Sequence, residues 1–552
     1  ICLVYMHGEA RCGVGPQDVA LAVIGEVFSK GFVKNKVMEF AGPGVTGLSM
    51  DFRNAIDVMT TETTCLSSVW ETDAKVREYL KTHGREEDYA PMAPLYPARY
   101  DCMIDIDLSR IEPMIALPFH PSNTYRIRDL IENAEDIFAR VEKEAEKITG
   151  GKSEYKIRDK IDGRKIRIDQ GIIAGCAGGS FENISDAAAI IDEKSPGNGP
   201  FSLSIYPQSQ PVFHELNRVG ITNRLMRAGA LIKTAFCGPC FGAGDVPANS
   251  TLSIRHTTRN FPNREGSKPG EGQMAGVALM DARSIAATAA AGGILTPATE
   301  IEYPKEPFEY SFNGEIYRNR VYYGYRKPVD EPLKFGPNIK DWPKFEPLAA
   351  NLLLMAAAVI HDPVTTTDEL IPSGETSSFR SNPMKLAEFT LSRKDPLYVK
   401  RAKEAAEMEM RRKEEKLREY AGINLEDTAV GSFIYAAKPG DGSAREQAAS
   451  CQRVLGGCAN IALDYATSRY RSNLINWGML PFVTGSVPAI GPGDFIYIPG
   501  IREAVVKNRL PVAAYILRDG EKHELSLALP GITDDERQIL LAGCLINYYR
   551  AG

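Results

Sequence analysis

The chain has 552 residues, of which 43% are hydrophobic and 25% charged, with a formal net charge of -6. That is the make-up of a globular protein large enough for several domains, and it offers no electrostatic reason to expect nucleic acid as a partner. No apolar run approaches the ~18 residues of a membrane span and no signal-peptide pattern opens the chain, so we expect no membrane partner and a cytoplasmic location, the mitochondrial matrix being the other compartment that fits.

In chain order, residues 1–6 read as a buried strand that lacks an initiating Met, as though cut from a longer protein. Gly15-Pro16-Gln17-Asp18 leads into an apolar helix over 19–28, with Pro near its first turn. Residues 36–40 form a second strand, residues 51–61 have helical character, and a short helix over 76–81 stops at Gly84. Strand and helix alternate, which makes this an α/β domain. Glu62, in the polar run Thr60-Thr61-Glu62-Thr63-Thr64, reads by position as a solvated or N-capping carboxylate. Cys65 reads as a small buried hydrophobe rather than a ligand.

Past the Pro-rich stretch 89–97 come a strand over 103–108 and a charged helix over 125–148 that stops at Gly150-Gly151. A regular alternation follows: strand 171–175 into Cys176, helix 183–191, strand 202–206, helix 212–228, strand 230–235 into Cys237, and strand 251–255 into Thr258-Arg259-Asn260-Phe261-Pro262-Asn263-Arg264. Cysteines and arginines therefore lie just past the carboxyl ends of strands in one parallel sheet, where open α/β sheets bind ligands. Ten cysteines are too sparse for a disulfide framework, and a reducing compartment keeps thiols available as ligands. Cys237-Gly238-Pro239-Cys240 together with Cys176 admits three readings. One is a thioredoxin-like redox pair; a second is a zinc site that recruits His214 or His256; the third is three thiolates on an iron–sulfur cubane, leaving one iron open as a Lewis acid. Spacing alone leaves all three open. Arg259 and Arg264 suit a bidentate grip on carboxylates.

Between residues 303 and 347 the prolines 304, 307, 328, 332, 337, 343 and 347 make an extended connector. Beyond it, a helix over 396–420 alternates Lys, Arg and Glu and reads as a solvated face. A strand over 432–436 reaches Asp441-Gly442-Ser443-Ala444-Arg445-Glu446, followed by a helix and a strand over 459–463. Ser443-x-x-Glu446 before an apolar helix has the form of a capping box, with Ser443 as the N-cap.

These residues resemble the aconitase family of iron–sulfur hydro-lyases over essentially the whole chain. Cys176, Cys237 and Cys240 stand where that family places its cluster cysteines, and Arg259-Asn260-Phe261 with Arg264 matches its substrate-gripping loop. The run from Gly442 to Glu446 is similar to its Gly-Ser-Ser-Arg-Glu motif, Thr366-Thr367-Asp368 with Arg380 to a further site, and Glu62 to an acidic active-site position. The resemblance implies α/β/α domains with parallel-rich sheets plus a C-terminal swivelling domain: a second-domain equivalent over 1–118, a cluster-binding domain over 119–302, a linker over 303–347 and a swivel domain over 348–552. It implies a [4Fe-4S] cofactor, a polycarboxylate substrate, and dehydration and rehydration of a hydroxy acid by a monomer. In that scheme the open iron takes the hydroxyl, Ser443 removes the proton from the neighbouring carbon, Glu62 and Asp368 complete the catalytic set, and Arg259, Arg264, Arg380 and Arg445 hold carboxylates while the swivel domain closes.

Val58 and Thr258 depart from the family pattern where it has asparagines, as do Ile371 and Ala444 where it has serines. These departures put citrate in doubt and suit a rival reading as a cluster-bearing iron or redox sensor without turnover. The other rival is a thiol–disulfide oxidoreductase using Cys237 and Cys240. With no Asp-Ser-His run present, we also expect the family's N-terminal domain to be missing from this chain.

Overall fold

Strand Cys2–His7 alternates buried with more accessible positions, the signature of a half-covered strand. It pairs in parallel with Val37–Ala41 on one side and Cys102–Asp107 on the other, and Ser67–Trp70 completes the sheet. The computed structural model describes residues 1–151, 153–192, 194–197, 199–268, 271–304, 308–321, 334–372, 376–509, 511–518 and 520–551. The chain divides into two compact units, residues 1–330 and 331–552. The proline-rich stretch falls partly outside the described residues, including Pro307, Pro328 and Pro332. Among the described residues no helix is long and apolar enough to cross a membrane.

The second sheet of the first unit positions the cysteines. Its described strands run in the order Leu231–Ile232, Ser202–Tyr206, Gln170–Ala174, Leu252–His256, Gly276–Met280, Met114–Ala116 and Thr124–Arg126. The first five are parallel; the last two run antiparallel and form an edge that sequence reasoning did not anticipate. Gly171-Ile172-Ile173-Ala174 is buried throughout, as befits a central parallel strand covered on both faces.

Several expected elements break. The helix expected over 125–148 is two helices, Ile127–Glu132 and Ala134–Thr149, because Asn133 leaves helical geometry and its side chain donates back to the Asp129 carbonyl. The helix expected over 212–228 breaks at Gly220, which takes φ +81° between Gln210–Arg218 and Ile221–Arg227. Only Leu231–Ile232 of the strand expected over 230–235 forms, so an irregular stretch carries the chain to Cys237.

In the second unit, strands Leu480–Val483, Gly457–Ala462, Thr428–Ala436 and Asn351–Ile360 are parallel, and Phe495–Ile498, Val512–Arg518 and Glu521–Leu527 extend the sheet antiparallel. The charged helix is shorter than expected, Tyr398–Lys413. Its expected last turns are replaced by a small hairpin, Glu419–Tyr420 against Ile423–Asn424, whose two turn residues Ala421 and Gly422 both have positive φ.

The two sheets of the first unit are joined by buried charge. Asp281 accepts from the backbone N–H of Gln17 and of Arg283, and Arg283 also pairs with Asp186 at 2.6 Å. His256, fully buried at a strand end, accepts the Ala282 N–H on Nδ1 at 2.9 Å, so its proton resides on Nε2. Burial and the nearby Arg283 charge depress its pKa to about 4 against the opposing pull of Asp281.

An unfolded histidine titrates near ~6.5, so the stabilisation from a neutral His256 is complete above that pH. It is lost as the pH falls from there towards the folded value, by about 3 kcal/mol in total. His256→Asn, which does not titrate, should therefore lose Tm less steeply than the unaltered protein between about pH 7 and about pH 5. Identical slopes would remove His256 from the acid response.

A second prediction concerns the turn after Cys176. A Cβ on Gly178 would lie 2.3 Å from the His256 carbonyl oxygen, whereas one on Gly47 meets nothing within 4 Å. Gly178→Ala should destabilise the protein by about 1–3 kcal/mol and Gly47→Ala should leave Tm nearly unchanged; equal melting temperatures for the two variants would refute the close packing.

Candidate active site

The strand Gln170–Ala174 ends in Gly175, whose φ of +70° is open to glycine without strain, and one helical turn, Gly175–Gly178, follows. Cys176 is exposed on that turn. An ideal Cβ on Gly175 would stand 3.7 Å from the Cys240 Sγ, so the second cysteine segment crosses directly over the first. Gly238–Cys240 forms a short 3-10 turn with Pro239 inside it, and Cys237 precedes it as an exposed residue. Cys176, Cys237 and Cys240 are all free thiols.

The thiols sense one another. Crowding by the surrounding chain pushes the Cys176 pKa up, and Cys240 and then Cys237 add to the rise. Cys237 is likewise raised, by burial and then by Cys240. A nucleophilic Cys-x-x-Cys needs the opposite shift, so this environment does not favour the thiol–disulfide reading. Among the described residues no three His, Cys, Asp or Glu side chains are gathered so as to hold a metal ion. His256 lies buried with Nδ1 committed to a backbone N–H, which removes it as a zinc ligand in this state.

The arginine loop leaves the end of Leu252–His256, next to the Cys176 strand. It is held at its root by Gln17, whose side chain donates to the Thr257 carbonyl at 3.0 Å, and by Asn260, which donates to the Ala116 and Leu117 carbonyls at 3.1 and 2.8 Å. Arg259 pairs with Glu62 at 2.9 Å, and the Glu62 side chain is only 5% exposed. This corrects the expectation of a solvated or capping carboxylate: Glu62 is a buried partner of the loop arginine, and Thr61 donates to the same carboxylate oxygen. The Arg259 Nε is buried with no partner among the described residues. Its charge reaches Cys176, where it opposes the rise in pKa. Arg264 is buried within the same loop.

Cys65 is buried, as expected, with its thiol 3.3 Å from the Thr60 carbonyl. Gln17 and Arg255 were missed from the sequence. Arg255 carried a visible signal, a charge at the end of a strand expected to be buried in the sheet; Gln17 carried none, since its partner is distant in sequence.

The second unit brings two other motifs together. Residues Thr365 and Thr366 pair with Pro439 and Asp441, and Thr367 Oγ1 accepts the Ala444 N–H at 3.2 Å. A Cβ on Gly442, which has φ +112°, would lie 2.4 Å from that same hydroxyl. Ser443 is therefore pinned by its neighbours on both sides. The helix Arg445–Val454 takes Ala444 as its N-cap, with no side-chain cap, and Glu446 accepts from the Trp477 indole at 3.0 Å instead of closing a box. The capping reading of Ser443 is thus overturned.

The capping box in this region belongs to Thr366 and Glu369, at the head of Thr367–Leu370, and places Asp368 half-buried in the first turn. Arg445 is half-buried at the helix start and Arg380 is exposed. Ile371 is fully buried and Ala444 packs against the core.

Comparison with known proteins bears on the first unit. The 3-isopropylmalate dehydratase large subunit of Moorella thermoacetica is 29% identical over 293 residues, 53% of this chain and 60% of that protein. The 2,3-dimethylmalate dehydratase large subunit of Eubacterium barkeri is 31% identical over 293 residues, with the same coverage of 53% and 60%. The matched part of the chain thus spans about 60% of the length of these relatives. Both are named as large subunits, and the expectation of a monomer draws no support from them. A crystal structure of 3-isopropylmalate dehydratase from Methanocaldococcus jannaschii is similar at 24% identity and a TM-score of 0.25, over 36% of this chain and 94% of that one. The family model of the aconitase family (aconitate hydratase) matches residues 1–287, a span that holds Glu62, Cys176, Cys237, Cys240, Arg259 and Arg264 and leaves Asp368, Arg380, Ser443 and Arg445 beyond it. This chain belongs to the aconitase family.

Proposed function

We propose that the chain is an iron–sulfur-dependent hydratase/dehydratase acting on a hydroxy di- or tricarboxylic acid. The observation that supports this reading is that Cys240, Cys237 and Arg259 all act electrostatically on Cys176, with Arg259 paired to Glu62 and keeping a buried Nε without a partner among the described residues. The donor chemistry suits a cluster: Cys176, Cys237 and Cys240 are free thiols and the first two are raised by their thiol neighbours, while among the described residues no three His, Cys, Asp or Glu side chains are gathered as for a single metal ion. Bound to Cys176, Cys237 and Cys240, a [4Fe-4S] cluster supplies one iron without a protein ligand, a Lewis acid towards a substrate hydroxyl.

The chain's own residues supply the rest. Arg259 is held in place by Glu62 and offers its remaining donors to a carboxylate, and Arg264, Arg380 and Arg445 are assigned to carboxylates as well. Ser443 is assigned as the base that removes a proton from the carbon next to the hydroxyl-bearing one. Its hydroxyl is not used as a cap, and the start of the ten-residue helix Arg445–Val454 lies two positions on, where positive potential favours an alkoxide. Asp368 is assigned a supporting proton-handling role. The malates named for the two relatives carry two carboxylates and a hydroxyl, the chemistry that such an arrangement accepts.

The test is anaerobic reconstitution, with iron and sulfide content and paramagnetic-resonance spectra measured first. Turnover of 3-isopropylmalate, 2,3-dimethylmalate and citrate follows. Cys176→Ser should lower cluster iron severely; near-full content in that variant would sink the three-ligand assignment. A protein that binds the cluster but turns over no hydroxy acid would support the sensor reading instead.

Ser443→Ala separates chemistry from structure. Because Ser443 caps no helix, stability should change by less than about 0.5 kcal/mol, while turnover should fall by about 10²–10⁴-fold. A variant that keeps its activity would remove Ser443 from the mechanism.

A further inference from the structure

Arg255 lies in the strand Leu252–His256 and is fully buried. A buried guanidinium is costly unless its donors are answered, and here they are answered in one direction. Nε donates to Ser253 Oγ at 2.9 Å, Nη1 to the Pro239 carbonyl at 2.6 Å, and Nη2 to the Asp245 carbonyl at 3.2 Å and to Gln170 Oε1 at 3.3 Å. Pro239 stands between the two cysteines of the Cys-x-x-Cys, and Asp245 ends the loop that contains them. The guanidinium therefore grips this loop by its backbone at its middle and at its end.

The neighbouring strands join the grip. Gln170, on the strand that leads to Cys176, donates to the Asp245 carbonyl at 3.2 Å and accepts from Ser253 Oγ at 2.6 Å. Tyr206, on the next strand, donates to the Asp245 carboxylate at 2.6 Å. Three adjacent strands, Ser202–Tyr206, Gln170–Ala174 and Leu252–His256, thus form a polar platform under residues 237–245. The loop needs one, since beyond the single 3-10 turn Gly238–Cys240 it is irregular, with Gly242 and Gly244 both at positive φ.

We propose that Arg255 is a positioning residue that sets the Cys237 and Cys240 thiols for cluster binding, with Gln170 and Tyr206 as the rest of the platform. The cluster part of this proposal rests on the reading that Cys176, Cys237 and Cys240 hold one cluster. The grip on the loop is independent of it.

The experiment compares the unaltered protein with Arg255→Met and Arg255→Lys. In the apo proteins, alkylation rates of Cys176, Cys237 and Cys240 by iodoacetamide are followed by mass spectrometry, together with amide hydrogen exchange over residues 237–245. After anaerobic reconstitution, iron loss to a ferrous chelator is timed. Arg255→Met should raise exchange in the loop, change the alkylation rates of Cys237 and Cys240 more than that of Cys176, and weaken cluster retention by about 10–100-fold. Arg255→Lys, which keeps the charge but not the fork, should fall between the two.

A fall in Tm with exchange and all three alkylation rates unchanged would reduce Arg255 to core filling and overturn the proposal. If Arg255→Met does not fold, Arg255→Lys is judged on the same readouts, and loop exchange equal to that of the unaltered protein overturns the proposal. If the unaltered protein takes up no cluster, the cluster assignment fails, and the positioning role is decided by the apo measurements alone.

Discussion

Asp281 is the point on which the first unit hangs. Burial alone would push its carboxyl up, but Arg283, His256 and two backbone N–H groups outweigh that and hold it below its ordinary value. It caps two helices at once: as the N-cap of Ala282–Ala290 it accepts the Arg283 N–H, and it also accepts the Gln17 N–H in the first turn of Pro16–Val27. Buried carboxylates at helix starts are favoured by both the free N–H groups and the helix dipole. The double role fixes the first helix against the second sheet, and Gly15 is required because a Cβ there would overlap the carboxylate. From this anchored helix Gln17 reaches the Thr257 carbonyl, so the arginine loop inherits its position from a contact formed well over 200 residues away in sequence.

Most of the strands that carry site residues were legible in the sequence because buried parallel strands are continuous apolar runs. Helix continuity was less legible. Asn133 and Gly220 end helices through a side chain returning to the backbone and through a left-handed φ, and both residues are tolerated inside helices elsewhere. The antiparallel edge Met114–Ala116 and Thr124–Arg126 escaped notice because three-residue strands carry too little periodicity to recognise. Glu62 was misjudged for a different reason: five consecutive polar residues look solvated, and only the opposing arginine, far along the chain, makes the site buried.

Two segments show why a capping pattern needs its surroundings. Thr366-x-x-Glu369 and Ser443-x-x-Glu446 share the same form, yet only the first closes as a box. In the second, Gly442 turns the chain through a left-handed conformation and Thr367 takes the Ala444 N–H, which moves the helix start one residue downstream of Ser443. The residue displaced from capping is the one assigned to chemistry. A serine bound to its own helix N–H would have to give up that bond to act as a base, whereas this one does not.

The arginines beside the cysteines divide along the same physical line. Arg255 is fully buried and has every nitrogen engaged by protein atoms, two of its acceptors being backbone carbonyls of the cysteine loop. Arg259 is pre-oriented by a pair with a nearly dry Glu62 but keeps a buried Nε without a partner among the described residues. An unanswered buried donor costs about 1–3 kcal/mol; under the proposed function a substrate carboxylate is what would answer it, with the side chain already ordered by Glu62. The same chemical group is thus tied at every nitrogen to the scaffold in Arg255 and left one bond short in Arg259.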